Sequence, residues 1–303
     1  MKGLYRIPGA LNRKDFFKIM SVLPFAETLG LSALGRASAA FPDTPKMPVL
    51  FLGHGSPMNA IEENEFVAGF RNVATTIPKP HAILCVSAHW ETPGTYVTAM
   101  QMPPTIHDFR GFPKSLFEVQ YPASGSPELA KMTQELVTAT EVGLDDKWGL
   151  DHGAWSVIKH LYPDADIPVI QMSIDVNASP ETHYDIAKQL SKLKRKGVLI
   201  IGSGNMVHNL RTVDWQNLNK VDYGYDWAIE ADEQMKKFIL EQDHKSLIAF
   251  RSQGKAFDLA IPTPEHFLPL IYTLALQEKG DEVSIFNNKA VAGSLTMTSV
   301  KIA

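Results

Sequence analysis

Leu50-Phe51-Leu52-Gly53-His54-Gly55-Ser56-Pro57 and Ile83-Leu84-Cys85-Val86-Ser87-Ala88-His89-Trp90 are apolar runs of strand length, and each ends at a histidine. Short apolar runs bounded by Gly and Pro read as buried parallel strands, because a sheet covered on both faces needs no polar alternation. In an open α/β sheet the ligand crevice lies beyond the carboxyl ends of the strands. Two parallel strands that each bring an imidazole to that edge would present a pair of nitrogen ligands to one point. The stretch from Val49 to Trp90 thus predicts both an α/β sheet and a metal site.

Working outward, the pattern continues. Strands are expected over residues 48–52, 82–87, 95–100, 167–174 and 198–201, and edge strands over 283–286 and 295–300. Helices are expected over residues 62–73, 126–138, 157–161, 180–193, 225–242 and 245–253, with a last long one from Pro262 to about Gln277. The helix at Ser126-Pro127-Glu128 opens with a capping serine and a proline at its first position. Residues 101–121 have no period and are dense in Pro, Gly and aromatics, the composition of a functional loop or lid. No repeat, low-complexity tract or charge run marks a linker. Residues 41–303 therefore read as a single α/β domain, with a central, mostly parallel sheet and helices on both faces.

The chain of 303 residues is long enough for one large core. A net charge of −4 offers no basic footprint for nucleic acid. The one cysteine, Cys85, lies within a predicted strand, where packing is its expected role. From residue 41 onward no apolar run is long enough to span a bilayer.

Residues 1–40 read separately, as an export signal or a leader. Asn12-Arg13-Lys14-Asp15-Phe16-Phe17-Lys18, a moderately apolar stretch, and the small residues Ala37-Ser38-Ala39-Ala40 resemble a twin-arginine signal in which Lys14 replaces the second arginine. That reading implies periplasmic export. The alternatives are an amphipathic N-terminal helix or a disordered leader on a cytoplasmic protein.

His54, His89, His208 and His266 all fall at strand-to-loop or loop-to-helix junctions. Imidazole is the commonest metal ligand, and sites are often built from loops on a rigid sheet. A single such histidine is more often a hydrogen-bonded structural residue, but four at one predicted edge argue for a site. Their spacing matches no compact zinc signature such as His-Glu-x-x-His.

Motifs add what spacing cannot. Gly-His-Gly-Ser-Pro at 53–57, Ser-Ala-His-Trp at 87–90, Pro-Pro-Thr-Ile-His-Asp-Phe at 103–109 and Asp-His-Gly-Ala-Trp at 151–155 resemble those of the class III extradiol ring-cleavage dioxygenases. Tyr-Pro-Ala at 121–123, Gly-Ser-Gly at 202–204, Val-His-Asn-Leu-Arg at 207–211 and Thr-Pro-Glu-His at 263–266 complete the series, in the manner of the 4,5-DOPA dioxygenase branch. The resemblance implies a non-haem Fe(II) site that takes a catechol and O₂, with Zn(II) as an alternative occupant. Mapped onto this chain, it makes His54 and His89 the first two ligands. His266 is the third, with Glu265 as the carboxylate alternative. On a helix these two neighbours would diverge by about 100°, so only one would reach the metal.

His208 matches the family's acid/base, and also a fourth ligand when substrate is absent. The other reading for it is a cap on the Gly-Ser-Gly-Asn turn. His152 is a second candidate catalytic residue, donating to oxygen or substrate, or else it orients its turn through Asp151. His107 and Asp108 would shape the substrate mouth. His81, His160, His183 and His244 are expected to be structural, and Trp90, Trp155 and Tyr272 to be core. Two alternatives to a dioxygenase remain at this level: a zinc-dependent hydrolase and a binding homologue without turnover.

Overall fold

Four central strands run parallel because each is apolar on both sides. In the computed structural model, which describes residues 41–303 apart from 219 and 221, β1 (Val49–Gly53), β2 (Ala82–Thr92), β5 (Val169–Asp175) and β6 (Val198–Gly204) form this centre. Between β2 and β5 in the chain lie β3 (Thr95–Thr98) and β4 (Val142–Asp145). After β6 come β7 (Val283–Phe286), β8 (Ala290–Val291), β9 (Leu295–Thr296) and β10 (Ser299–Ile302). The eight-stranded sheet has the order β4-β3-β5-β2-β6-β1-β10-β7, while β8 and β9 form a separate small ladder. β5, β2, β6 and β1 are mutually parallel neighbours, and the outer pairings β3 with β5, β10 with β1, and β7 with β10 are antiparallel.

The pleat sends alternate residues of each strand to opposite faces. Leu199 and Ile201 pack on one face into a core with Phe70, Trp155 and Ile158. Gly202 and Gly204 face the other way, against the segment that carries His266 and Pro269. A side chain at Gly204 would run into the His266 carbonyl, so glycine is what lets that segment approach the sheet. Helices cover both faces, and Cys85 is fully buried in the core.

Local signals set the helix starts. Asn64, Ser126, Asp151 and Ser179 each accept a hydrogen bond from a backbone N–H of the first turn that follows. The Asp151 cap moves one boundary: the helix runs from His152 to Leu161 and not from Val157, because His152-Gly153-Ala154 is already helical.

Several expected boundaries shift in the same way. β2 does not stop at Ser87 but continues through His89 to Thr92, with a register irregularity against β5 between Val86 and Glu91. The last long helix spans Leu268–Ala275, leaving Pro264-Glu265-His266 in the turn before it. Residues 295–300 are not one edge strand. They split into β9 and β10, and β10 lies inside the sheet, between β1 and β7. Residues 245–253 break into a helix over His244–Ile248 and a short 3-10 turn, while β4 and the helix Lys255–Ala260 lack the periodicity that would have revealed them. Trp90, Trp155 and Tyr272 are core residues as expected. The leader or export signal falls at residues 1–40, outside the described residues. Among the described residues no helix is long and apolar enough to cross a membrane.

Candidate metal centre

The carboxyl ends of β1 and β6 lie level with Ser87 of β2, which continues beyond them. Leu52 pairs with Ser203 and Gly53 with Gly204, while Ser87 also pairs with Ser203. His54 is the first residue beyond β1, and its N–H donates to Gly204 O at 3.0 Å, while Asn59 Nδ2 holds its carbonyl. His89 follows Ser87 by two residues along β2 and so shares its face. His266 comes from the opposite side of the sheet, where Asn205 N donates to its carbonyl at 2.9 Å.

Three side chains therefore converge from three segments. His54 Nε2 and His89 Nε2 are 3.3 Å apart, and ligand atoms of His54, His89 and His266 all lie within 4.8 Å of one another. Ring centroids are 5.0 Å apart for His54 and His89, 5.3 Å for His54 and His266, and 5.0 Å for His89 and His266.

The hydrogen bonds behind these rings decide which nitrogen faces the centre. Ser203 Oγ donates its only proton to Gly153 O at 2.5 Å. It can then only accept from His54 Nδ1, 3.0 Å away, so His54 carries its proton on Nδ1 and a lone pair on Nε2. His266 Nδ1 donates to Glu265 Oε1 at 3.0 Å. His89 Nδ1 lies 3.4 Å from Asp108 Oδ2. His54 and His266 are thus braced at Nδ1 and offer Nε2, the arrangement in which outer partners orient metal-bound histidines, while His89 meets His54 through Nε2 and has the Asp108 carboxylate near its other nitrogen.

The electrostatics agree. Burial, then the neighbouring imidazoles, hold His54 and His266 well below the ordinary histidine value. Burial also brings His89 down to about 3 and His208 to about 4. Neutral imidazoles are what a cation requires, and lone pairs facing each other at 3.3 Å repel unless a cation or proton lies between them. That distance is close to the edge of a coordination polyhedron built on metal–nitrogen bonds of ~2.1 Å. The three residues fit a metal ion.

Two further histidines flank the three. His152 Nδ1 and its backbone N–H both donate to Asp108, each at 2.9 Å, which leaves Nε2 available to the cavity that His152 lines. Burial would raise the Asp108 carboxyl, but the hydrogen bonds from the His152 ring and backbone N–H, together with the adjacent imidazoles, leave it below its usual value. His208 stacks flat on His266, with centroids 3.5 Å apart and planes 10° apart. Its backbone N–H is taken by Ala260 O and not by the Gly-Ser-Gly-Asn turn.

A model of the catalytic LigB subunit of aromatic ring-opening dioxygenase matches residues 33–295. The chain belongs to this family. It is 44% identical over 262 residues to the 4,5-DOPA dioxygenase extradiol of Escherichia coli K12, covering 85% of this chain and 95% of that protein. It is 35% identical over 258 residues to the protein of the same name from Beta vulgaris, covering 83% and 94%. The crystal structure of an uncharacterised Escherichia coli K12 protein superposes with a TM-score of 0.74 at 40% identity, covering 85% of this chain and all of that one.

In this LigB-family chain the five histidines form part of the lining of a cavity of about 880 Å³. Sequence reading did not single out Ser203 or the orienting role of Asp108. Asp108 stands in the Ile-His-Asp-Phe motif, but its partners come from β2 and from the helix His152–Leu161, so only the fold reveals them. Its neighbour His107 turns away and bonds Val119 O. Glu265 lies behind His266 and falls in a different group of close ligand atoms, with His208 and His266, and not in the one with His54 and His89. Glu265 and His266 both precede the helix Leu268–Ala275, so the ~100° helical divergence expected between them does not apply. His183, expected to be structural, is fully buried and bonded to Tyr272 OH.

Proposed function

We propose that this protein is a non-haem Fe(II) extradiol dioxygenase that opens a catechol ring, such as that of DOPA, with both atoms of O₂. The observation that carries the reading is the convergence of His54, His89 and His266 ligand atoms to within 4.8 Å of one another at the cavity, with His54 and His266 each held at Nδ1 by a different partner. His54, His89 and His266 would hold the ion. When bound, Fe(II) would supply open coordination positions and a path for electrons between a catecholate and O₂.

The remaining residues handle protons and position. A catechol must lose its hydroxyl protons to act as a two-oxygen anion, and a neutral imidazole is a suitable acceptor. His208 is neutral at physiological pH and lies against His266, at the edge of the three-histidine group. It takes a catechol proton and returns one during ring opening. His152, locked by Asp108, directs Nε2 at the substrate or at oxygen beside it. The buried Asp151 caps the His152 helix and accepts from Ser87 and Gln171, which holds that helix against β2 and β5.

Anaerobic reconstitution with Fe(II), followed by O₂ and a catechol panel, tests this. A coloured ring-opened product that requires O₂ is expected. Ester or amide hydrolysis by the zinc-loaded protein, with no O₂-dependent product, would replace the reading by a hydrolase.

A further inference from the structure

On the catechol reading above, the reacting diol occupies only the histidine-lined floor of the cavity. A volume of about 880 Å³ lies near the top of the ~300–1,000 Å³ range of sites that enclose drug-sized ligands. One catechol ring fills a minor part of it. The remainder leaves room for a substituent on that ring.

The wall above the floor is mostly apolar. Phe112 lines it from the 101–121 loop, and Leu210, Trp215 and Leu218 line it from the segment after β6. Leu210, Trp215 and Leu218 are 57%, 71% and 47% exposed. Large apolar side chains gathered at one mouth and left open to water mark a binding surface.

The segment that carries them is held in a defined turn. Asp214 N donates to Ala292 O at 2.9 Å, and the Asp214 carboxylate accepts from Asn217 Nδ2 at 2.8 Å and from Tyr223 OH at 2.9 Å. Trp215 is thus presented to the cavity by an anchored backbone. Apart from the histidines, the charged residues of the lining are Glu62 and Arg110, both solvent-exposed. Exposed charges of this kind grip a zwitterionic tail weakly.

We propose that the cavity selects a catechol carrying a bulky apolar substituent, packed against Leu210, Trp215 and Leu218, over one carrying the amino-acid tail of DOPA. Binding is measured by calorimetry on the zinc-loaded full chain without O₂, which separates recognition from turnover. The ligands are catechol, 4-phenylcatechol and DOPA.

The expected result is that 4-phenylcatechol binds at least about tenfold more tightly than catechol. DOPA should gain nothing over catechol. Trp215→Ala and Leu218→Ala should each shrink the phenyl preference, and as both side chains are solvent-exposed their loss spares the core. DOPA binding more tightly than 4-phenylcatechol, or a preference unchanged in both variants, would overturn the proposal. Turnover keeps the two readings apart. O₂-dependent opening of DOPA with no phenyl preference in binding sinks this inference and leaves the dioxygenase standing. Selective binding of 4-phenylcatechol with no ring opening of any catechol supports this inference and sinks the dioxygenase.

Discussion

Ser203 Oγ lies 3.0 Å from His54 Nδ1 and spends its own proton on Gly153 O. A hydroxyl on β6 therefore sets the tautomer of a histidine beyond β1, and with it the direction of the Nε2 lone pair. The sheet, through its register, controls the electronic state of a candidate ligand.

Ser203→Ala removes that acceptor and leaves a buried N–H without a partner. Metal affinity is expected to fall roughly 10–100-fold, the usual effect of losing an outer partner of a ligating histidine. Competition against a chromophoric chelator measures it. Unchanged affinity would mean that Ser203 does not orient His54.

Asp108→Asn leaves one acceptor where the carboxylate accepts both N–H groups of His152 and faces His89 Nδ1. The amide group also places a donor against another donor. Turnover is expected to drop by about one to two orders of magnitude, and the melting temperature to fall. Oxygen-uptake kinetics and a thermal scan read the two effects. Wild-type turnover in the variant would remove Asp108 from the site's machinery.

His208→Phe keeps a ring stacked on His266 but removes both nitrogens. If His208 moves protons, the metal stays bound while kcat falls by ~10²–10⁴. Metal analysis beside steady-state rates distinguishes the roles. Loss of the metal would assign His208 to the ligand set.

The pH dependence of the metal-free protein has a definite sign. His54, His89, His208 and His266 are held below their unfolded value by burial, so between that value, near 6.5, and about 4 the unfolded chain binds more protons than the folded one. Stability is complete above pH ~6.5 and is lost as pH falls, with a slope of up to ~1.4 kcal/mol per pH unit for each imidazole that stays neutral. Urea midpoints at pH 7.5 and pH 5 check this, and a lower midpoint at pH 7.5 would contradict it. A bound metal ion adds its own binding energy and raises the midpoint at both pH values.

The amino-acid sequence by itself determined the α/β architecture, since unbroken apolar runs such as Val198–Ile201 have no other stable place than a covered parallel strand. It also marked His54 and His89, because both occur where such a run gives out, and the order of the motifs carried the family. Local periodicity could not show that β2 runs on through His89, or that β10 enters the sheet beside β1, because those depend on which strand lies alongside. Only the tertiary structure decided how the imidazoles are used. Ser203 behind His54 and Asp108 behind His89 and His152 are remote in sequence, and Glu265 behind His266 depends on a turn where a helix was expected. A tautomer is set by the hydrogen bond at the other ring nitrogen, and that partner exists only once separate segments have packed together.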